Sequence, residues 1–207
     1  MAGRGDMVSA AVATVLLSMS VASWVVIVWK SRLLRRAAAD LERAIAAFWQ
    51  ATEMDQAKLQ LGAFDREHLL LPLVDAALGQ PTGNLAAAAS RSQQLTRVLR
   101  DALHRVLRKL QAGQVLLATV GSVAPFVGLL GTVWGIYHAL LGSAGAGQAS
   151  IEKIAAPVGE SLIMTAAGLA VAIPAVLGYN ILGRLLSRLE ADLEGFARDL
   201  RELMVSQ

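Results

Sequence analysis

The chain has 207 residues, 55% of them hydrophobic and only 17% charged, with a mean hydropathy of +0.52. That balance excludes an ordinary soluble domain and predicts a membrane protein. It contains no Cys, which removes disulfides, thiol catalysis and thiolate metal sites, and fits soluble parts that face a reducing cytoplasm. A formal charge of +3 and a pI near 9.7 would fit a nucleic-acid binder in a soluble chain. Here all of the 19 Lys and Arg except Arg4 and Lys153 lie in segments 30–112 and 184–207, and the cluster Lys30 to Arg36 reads as a topology and lipid-headgroup feature, not a nucleic-acid site.

In chain order, a short N-terminus (1–7) precedes a first apolar run, 8–29, which carries no charge and is long enough as a helix to cross a hydrocarbon core of about 30 Å. Lys30, Arg32, Arg35 and Arg36 follow at once. The positive-inside rule keeps that cluster in the cytoplasm and puts the N-terminus outside. Cleavage near Val21-Ala22-Ser23 as a signal peptide is the competing reading, but the apolar run continues past Ser23 into a basic flank. Segment 30–112 reads as a cytoplasmic helical domain. Leu34, Ala38, Leu41, Ile45, Phe48 and Thr52 recur at spacings of four and three, so the first helix is expected to continue into it as one amphipathic rod. A break is expected at 79–84, where Gly79, Pro81 and Gly83 interrupt the pattern, with Asn84 able to cap the next helix.

The second span is 113–141 and the third 154–183, joined by a short extracytoplasmic loop, 142–153, rich in Gly, Ala and Ser. Residues 184–207 form a cytoplasmic C-terminal helix, in which Leu186, Leu189, Leu193, Phe196, Leu200 and Leu203 make a packing seam. The fold class is therefore an all-α membrane protein, three transmembrane helices extended into a cytoplasmic helical bundle, N-out and C-in. Within the membrane, Gly121, Ala124, Gly128, Gly131 and Gly135 recur on the second span, and Ser161, Thr165, Gly168, Ala172 and Ala175 on the third. Two small-residue seams on consecutive spans predict close helix packing. Pro174 is expected to bend the third helix.

Glu160 is the one charged residue of the third span. An intramembrane carboxylate is costly and by default marks an ion or proton pathway. Measured outward from the middle of the hairpin, Thr132 and Thr165 lie at depths that bracket it, so the two hydroxyls offer hydrogen bonds where hydrocarbon offers none. Two points remain open. Pro157 suits a first helical turn, which would make Glu160 an interfacial carboxylate favoured by the helix dipole. Glu160 and Thr165 also point about 140° apart on an ideal helix, so they share a lumen only in a wide site or an assembly. His138, Trp134 and Tyr137 read as interface or packing residues. Nothing in the chain points to catalysis, a metal site or a cofactor.

The stretch Pro125-Phe126-Val127-Gly128-Leu129-Leu130-Gly131-Thr132-Val133-Trp134-Gly135-Ile136, then Ala156-Pro157-Val158-Gly159-Glu160-Ser161-Leu162-Ile163-Met164-Thr165-Ala166 and the run Gly168 to Val176, resembles the ExbB/TolQ/MotA proton-channel family, its ExbB branch above all. The resemblance is strong over 120–185 and rests on topology elsewhere. It implies an inner-membrane motor subunit of Gram-negative bacteria, a homopentamer in the lipid bilayer around a dimer of a single-span ExbD-like partner. That partner contributes a membrane Asp, and a TonB-like protein passes the motion to outer-membrane receptors for iron chelates or cobalamin. On this chain Glu160 takes the place of the family's third-span Glu, and Thr132 and Thr165 those of its two lumen hydroxyls. Ser161 stands where Ala is usual. A TolQ-like subunit of the Tol-Pal system and a passive membrane scaffold are the alternatives. One carboxylate on three helices encloses no lumen, so oligomerisation is a physical requirement as well as a family expectation.

Overall fold

The computed structural model describes residues 2–79, 90–144 and 151–206, with side chains for 7–79, 90–142 and 155–206. In chain order α1 spans Ala2–Gln50, α2 Met54–Phe64, α3 Leu71–Leu78, α4 Arg91–Gln111, α5 Gln114–Ala144 and α6 Ile151–Ser206. No strand occurs among the described residues, so the fold is all-α. Each of α1, α5 and α6 is long and apolar enough to cross a membrane. The chain divides into two units, Met1–Trp29 with Gly113–Ile181, and Lys30–Ala112 with Leu182–Gln207.

In the first unit Val12 and Leu16 of α1 pack on Val120 and Ala124 of α5 and on Ala172 and Ala175 of α6. Large apolar side chains also cover its outside, among them Trp24, Val25, Phe126, Leu130, Ile163 and Ile173. A surface this apolar is what lipid accepts and water rejects. Small residues hold the interior together. A Cβ placed on Gly128 would lie 2.5 Å from the Met164 carbonyl oxygen and 3.1 Å from Gly168 Cα, so α5 and α6 touch there backbone to backbone. A Cβ on Gly121 would lie 2.5 Å from Val176 Cγ2. Gly131 and Gly178 instead admit α1, their Cβ positions lying 2.9 Å from Val12 Cγ1 and 2.7 Å from Ile27 Cγ1. Helix α6 continues through both Pro157 and Pro174.

The second unit departs from the expected pattern on α1. The buried seam is Leu34, Ala37, Leu41, Ala44 and Phe48, while Ala38 and Ile45 are only half-buried. Both sets repeat every seven residues; the buried one spaces them three then four, and puts Ala where a neighbouring helix comes close. Thr52 lies outside α1 and is exposed, its hydroxyl donating to Gln56 Oε1 at 2.9 Å. On α6 the buried line runs Leu182, Leu186, Leu189, Leu193, Phe196 and Leu200, then ends on Met204, with Leu203 half-buried. Phe196 meets Phe48 edge to face at 5.0 Å. Asn84 lies outside the described residues. As described, α4 begins after Ser90, whose side chain and that of Gln93 form a reciprocal capping box.

Two polar residues anchor this unit. The carboxylate of Asp65, 5% exposed, accepts the backbone N–H groups of Leu69, Leu70 and Leu71 at 2.7, 2.8 and 2.9 Å. It thereby closes the turn between α2 and α3, in which His68 takes a left-handed φ of 53°. Lys30 is 1% exposed, and its ammonium donates to the Lys109 carbonyl at 3.4 Å in the last turn of α4, where a cation suits the helix dipole. Burial lowers its pKa from 10.5, and the nearby Glu67 carboxylate opposes that shift.

Candidate functional site

The polar centre of the first unit sits where α5 and α6 cross. Thr132 is 6% exposed. Its Oγ1 lies 3.2 Å from the Gly128 carbonyl oxygen, 3.1 Å from the Ser161 carbonyl oxygen and 2.5 Å from Thr165 Oγ1. A hydroxyl has one proton to give and two lone pairs to accept with. If Thr132 donates to either carbonyl, Thr165 must donate to Thr132; if Thr132 donates to Thr165, the carbonyls keep only their helix N–H donors. The pair therefore admits two hydrogen-bond arrangements inside an apolar helix contact. Satisfying the buried hydroxyl avoids a cost of about 1–3 kcal/mol.

The close approach at Gly128 makes this contact possible. A Cβ on Gly128 would lie 3.2 Å from Thr165 Cα, and one on Gly168 would lie 2.6 Å from the Ala124 carbonyl oxygen. Without side chains at these two points, the threonines a turn away come within hydrogen-bond reach. Ser161, 7% exposed, fills the notch left by Gly135 and ties its hydroxyl to the Pro157 carbonyl at 2.8 Å. Its contact with Thr132, through its own backbone carbonyl, has no sequence signal, because any residue type carries that oxygen. The seam position of Ser161 was the only hint.

Glu160 does not join the threonines. It precedes Ser161 but is exposed, while Thr165 is half-buried against α5. The carboxylate points out of the chain and the hydroxyls point into it. The helix-terminus explanation for Glu160 needs correction. Helix α6 starts at Ile151, so Pro157 is interior and Glu160 lies well past the first turn, to which the dipole effect is confined. Pro174 is half-buried between Ala172 and Ala175.

Toward the end of α5, His138 Nδ1 lies 3.1 Å from the Trp134 carbonyl oxygen, and the two rings lie 4.6 Å apart, tilted by 36°. Tyr137 meets His138 edge to face at 5.3 Å. The buried Trp134 Nε1 has no hydrogen-bond partner among the described residues. Among the described residues no group of His, Asp and Glu is placed to hold a metal ion.

An exposed carboxylate and an inward hydroxyl pair thus lie on helices long and apolar enough to cross a membrane. The description of the MotA/TolQ/ExbB proton channel family matches residues 67–195. The chain belongs to that family. Among similar proteins, the biopolymer transport protein ExbB of Xanthomonas campestris pv. campestris is 41% identical over 96% of this chain and 82% of its own length. ExbB of Neisseria meningitidis is 36% identical over 98% and 94%. The Tol-Pal system protein TolQ of Haemophilus influenzae is 32% identical over 99% and 92%. As a member of the MotA/TolQ/ExbB family the chain places Thr132, Glu160 and Thr165 inside the matched region, along with the glycines that set the α5–α6 distance.

Proposed function

We propose that this chain is an ExbB-like subunit of an inner-membrane complex that uses the protonmotive force, with Glu160 as the proton-carrying group and Thr132 and Thr165 as its hydroxyl partners. The observation that carries the reading is the outward, exposed placement of Glu160 on a helix with an apolar exterior. A carboxylate so placed is stable in a bilayer only where other subunits or a partner enclose it with water or polar groups. The site is thus completed by assembly: copies of this chain, read as a homopentamer, surround an ExbD-like single-span dimer, and Glu160 faces the enclosed interior.

In this reading three spans at 8–29, 113–141 and 154–183 run N-out to C-in, with segments 30–112 and 184–207 in the cytoplasm. Protonation neutralises Glu160 and lets it meet an apolar surface; ionisation requires a polar one. Alternation between the two, driven by proton entry on one side and exit on the other, moves the enclosed partner. One charge crossing the full potential supplies about 2.3 kcal/mol per 100 mV, so several protons can drive a cycle. A TonB-like protein would carry that motion to outer-membrane uptake of iron chelates or cobalamin. The greater identity to ExbB than to TolQ relatives supports this partner set. A Tol-Pal role is the second reading, and neighbouring genes for TonB and ExbD-like proteins, or for Tol-Pal proteins, distinguish the two.

The test is Glu160→Gln, which keeps the side chain's size but cannot ionise. It is expected to assemble normally and to abolish energy-dependent uptake, with Glu160→Asp retaining part of it. Thr132→Val is expected to reduce uptake less, because a water can replace the lost hydroxyl. Normal uptake by Glu160→Gln cells that hold wild-type amounts of the oligomer would end the proton-carrier reading.

A further inference from the structure

The second unit carries an open groove of about 560 Å³ between α4 and the end of α6, running from Thr96 to His104 on one helix and from Glu194 to Arg201 on the other. That is roughly two turns, about 12 Å, of each helix. Arg100, Arg198 and Arg201 line it with a single carboxylate, Glu194, over a floor that includes Leu99 and Ala197. Its walls therefore hold a net charge of +2 with His104 neutral, counted as three guanidiniums less one carboxylate. Among the described residues none of these three guanidiniums is joined to a carboxylate in an ion pair. Arg100 and Arg198 are exposed. Arg201 is half-buried: one terminal nitrogen donates to Ser92 Oγ at 2.7 Å, while its buried Nε has no hydrogen-bond partner among the described residues.

We propose that this groove docks a short acidic peptide segment of a partner protein, its carboxylates meeting Arg100, Arg198 and Arg201 and an apolar side chain resting on Leu99 and Ala197. Charge complementarity selects the occupant. The groove is long and shallow with a partly apolar floor, the shape of an extended chain carrying alternating acidic and apolar side chains. A single phosphate would need donors converging on one point, whereas this groove is spread along two turns of each helix. Glu194 repels a carboxylate at its own position and so favours one register. The proposal is independent of the proton-carrying role of Glu160.

The experiment uses the full chain purified in detergent and a fluorescein-labelled synthetic peptide of alternating Glu and Leu, read by fluorescence anisotropy. Saturable binding that weakens as salt is raised is expected, and the same peptide with Gln for every Glu is expected not to bind. Arg100→Glu with Arg198→Glu is expected to weaken binding at least tenfold while helicity and oligomer size stay those of wild type. Arg201 is left intact because its bond to Ser92 joins α4 to α6. Glu194→Gln is expected to tighten binding about twofold by removing a like charge, which gives a gain-of-binding readout that misfolding cannot mimic. Equal binding by the double variant, or none by wild type, overturns the proposal. So does calorimetric binding of inorganic pyrophosphate with the peptide silent, which makes this a small-anion site. A changed oligomer size in the double variant with no peptide bound by wild type also overturns it, and assigns the groove to a contact between copies.

Discussion

Replacing Gly128 by Ala tests whether the backbone contact of α5 and α6 governs the hydroxyl pair. An added Cβ would sit 2.5 Å from the Met164 carbonyl oxygen, 3.1 Å from Gly168 Cα and 3.2 Å from Thr165 Cα. All three are backbone atoms, so no side-chain rotation relieves the clash, and the helices must separate by up to about 1 Å to restore ordinary contact distances of about 3.5 Å. Overpacking of this kind costs about 1–3 kcal/mol. Separation also stretches the Thr132 bonds to Thr165 and to the Ser161 carbonyl, at about 0.5–1.5 kcal/mol each. Against this, Ala gains about 1 kcal/mol over Gly in helix propensity. The net expectation is a loss of about 1–5 kcal/mol, with the clash outweighing the propensity. Gly195→Ala, where an added Cβ meets nothing within 4 Å, has the propensity gain alone and is the control. Thermal unfolding in detergent, followed by circular dichroism, should place Gly128→Ala below wild type and Gly195→Ala at or above it. A Gly128→Ala protein as stable as wild type would refute the argument that these backbones are in contact.

Three further outcomes follow from the second unit and the topology. Asp65→Ala strands three backbone donors, two of them on the buried Leu69 and Leu70. It should cost about 3 kcal/mol or more in chemical denaturation, with Asp65→Asn costing less because one acceptor oxygen remains. Lys30→Met removes a buried cation whose pKa is lowered by burial, so the variant should be at least as stable as wild type at neutral pH. As pH rises from the lowered folded pKa toward 10.5, the unfolded state binds more protons than the folded one, and wild-type stability should gain on the variant. Equal pH profiles would remove Lys30 as the cause. In the natively Cys-free chain, single cysteines at the exposed Leu59 and Glu202 should react with a membrane-impermeant thiol reagent only from the cytoplasm, and one at Gly142 only from outside. Reaction at Gly142 from the cytoplasm would overturn the three-span arrangement.

The architecture was legible in the residues because its causes are local. Apolar runs long enough to cross a bilayer, helical spacing of small and large residues, and ordered motifs around Gly128 and Glu160 read off the chain without knowledge of what packs on what. The glycine seam is the clearest instance. Gly121, Gly128, Gly131 and Gly135 share one face by period alone, and that face is the one turned toward neighbouring helices.

What the chain alone left undetermined is every choice that depends on a neighbour. Two heptad lines on α1 were equally periodic, and packing buried Ala37 and Ala44 in preference to Ala38 and Ile45. The onset of α6 at Ile151 moved Pro157 and Glu160 into the helix interior, because a helix already under way tolerates a proline whose missing N–H falls within it only at a cost that packing must offset. Asp65 carries no motif, yet three N–H groups converge on it once the chain turns between α2 and α3. Thr132, Thr165 and Glu160 could be ranked by depth from the sequence, but not sorted by direction. Depth follows from counting residues along a helix, whereas direction depends on how α6 is rotated against α5. The contact of Gly128 with Gly168 fixes that rotation, turning Thr165 toward Thr132 and leaving Glu160 facing away from the chain.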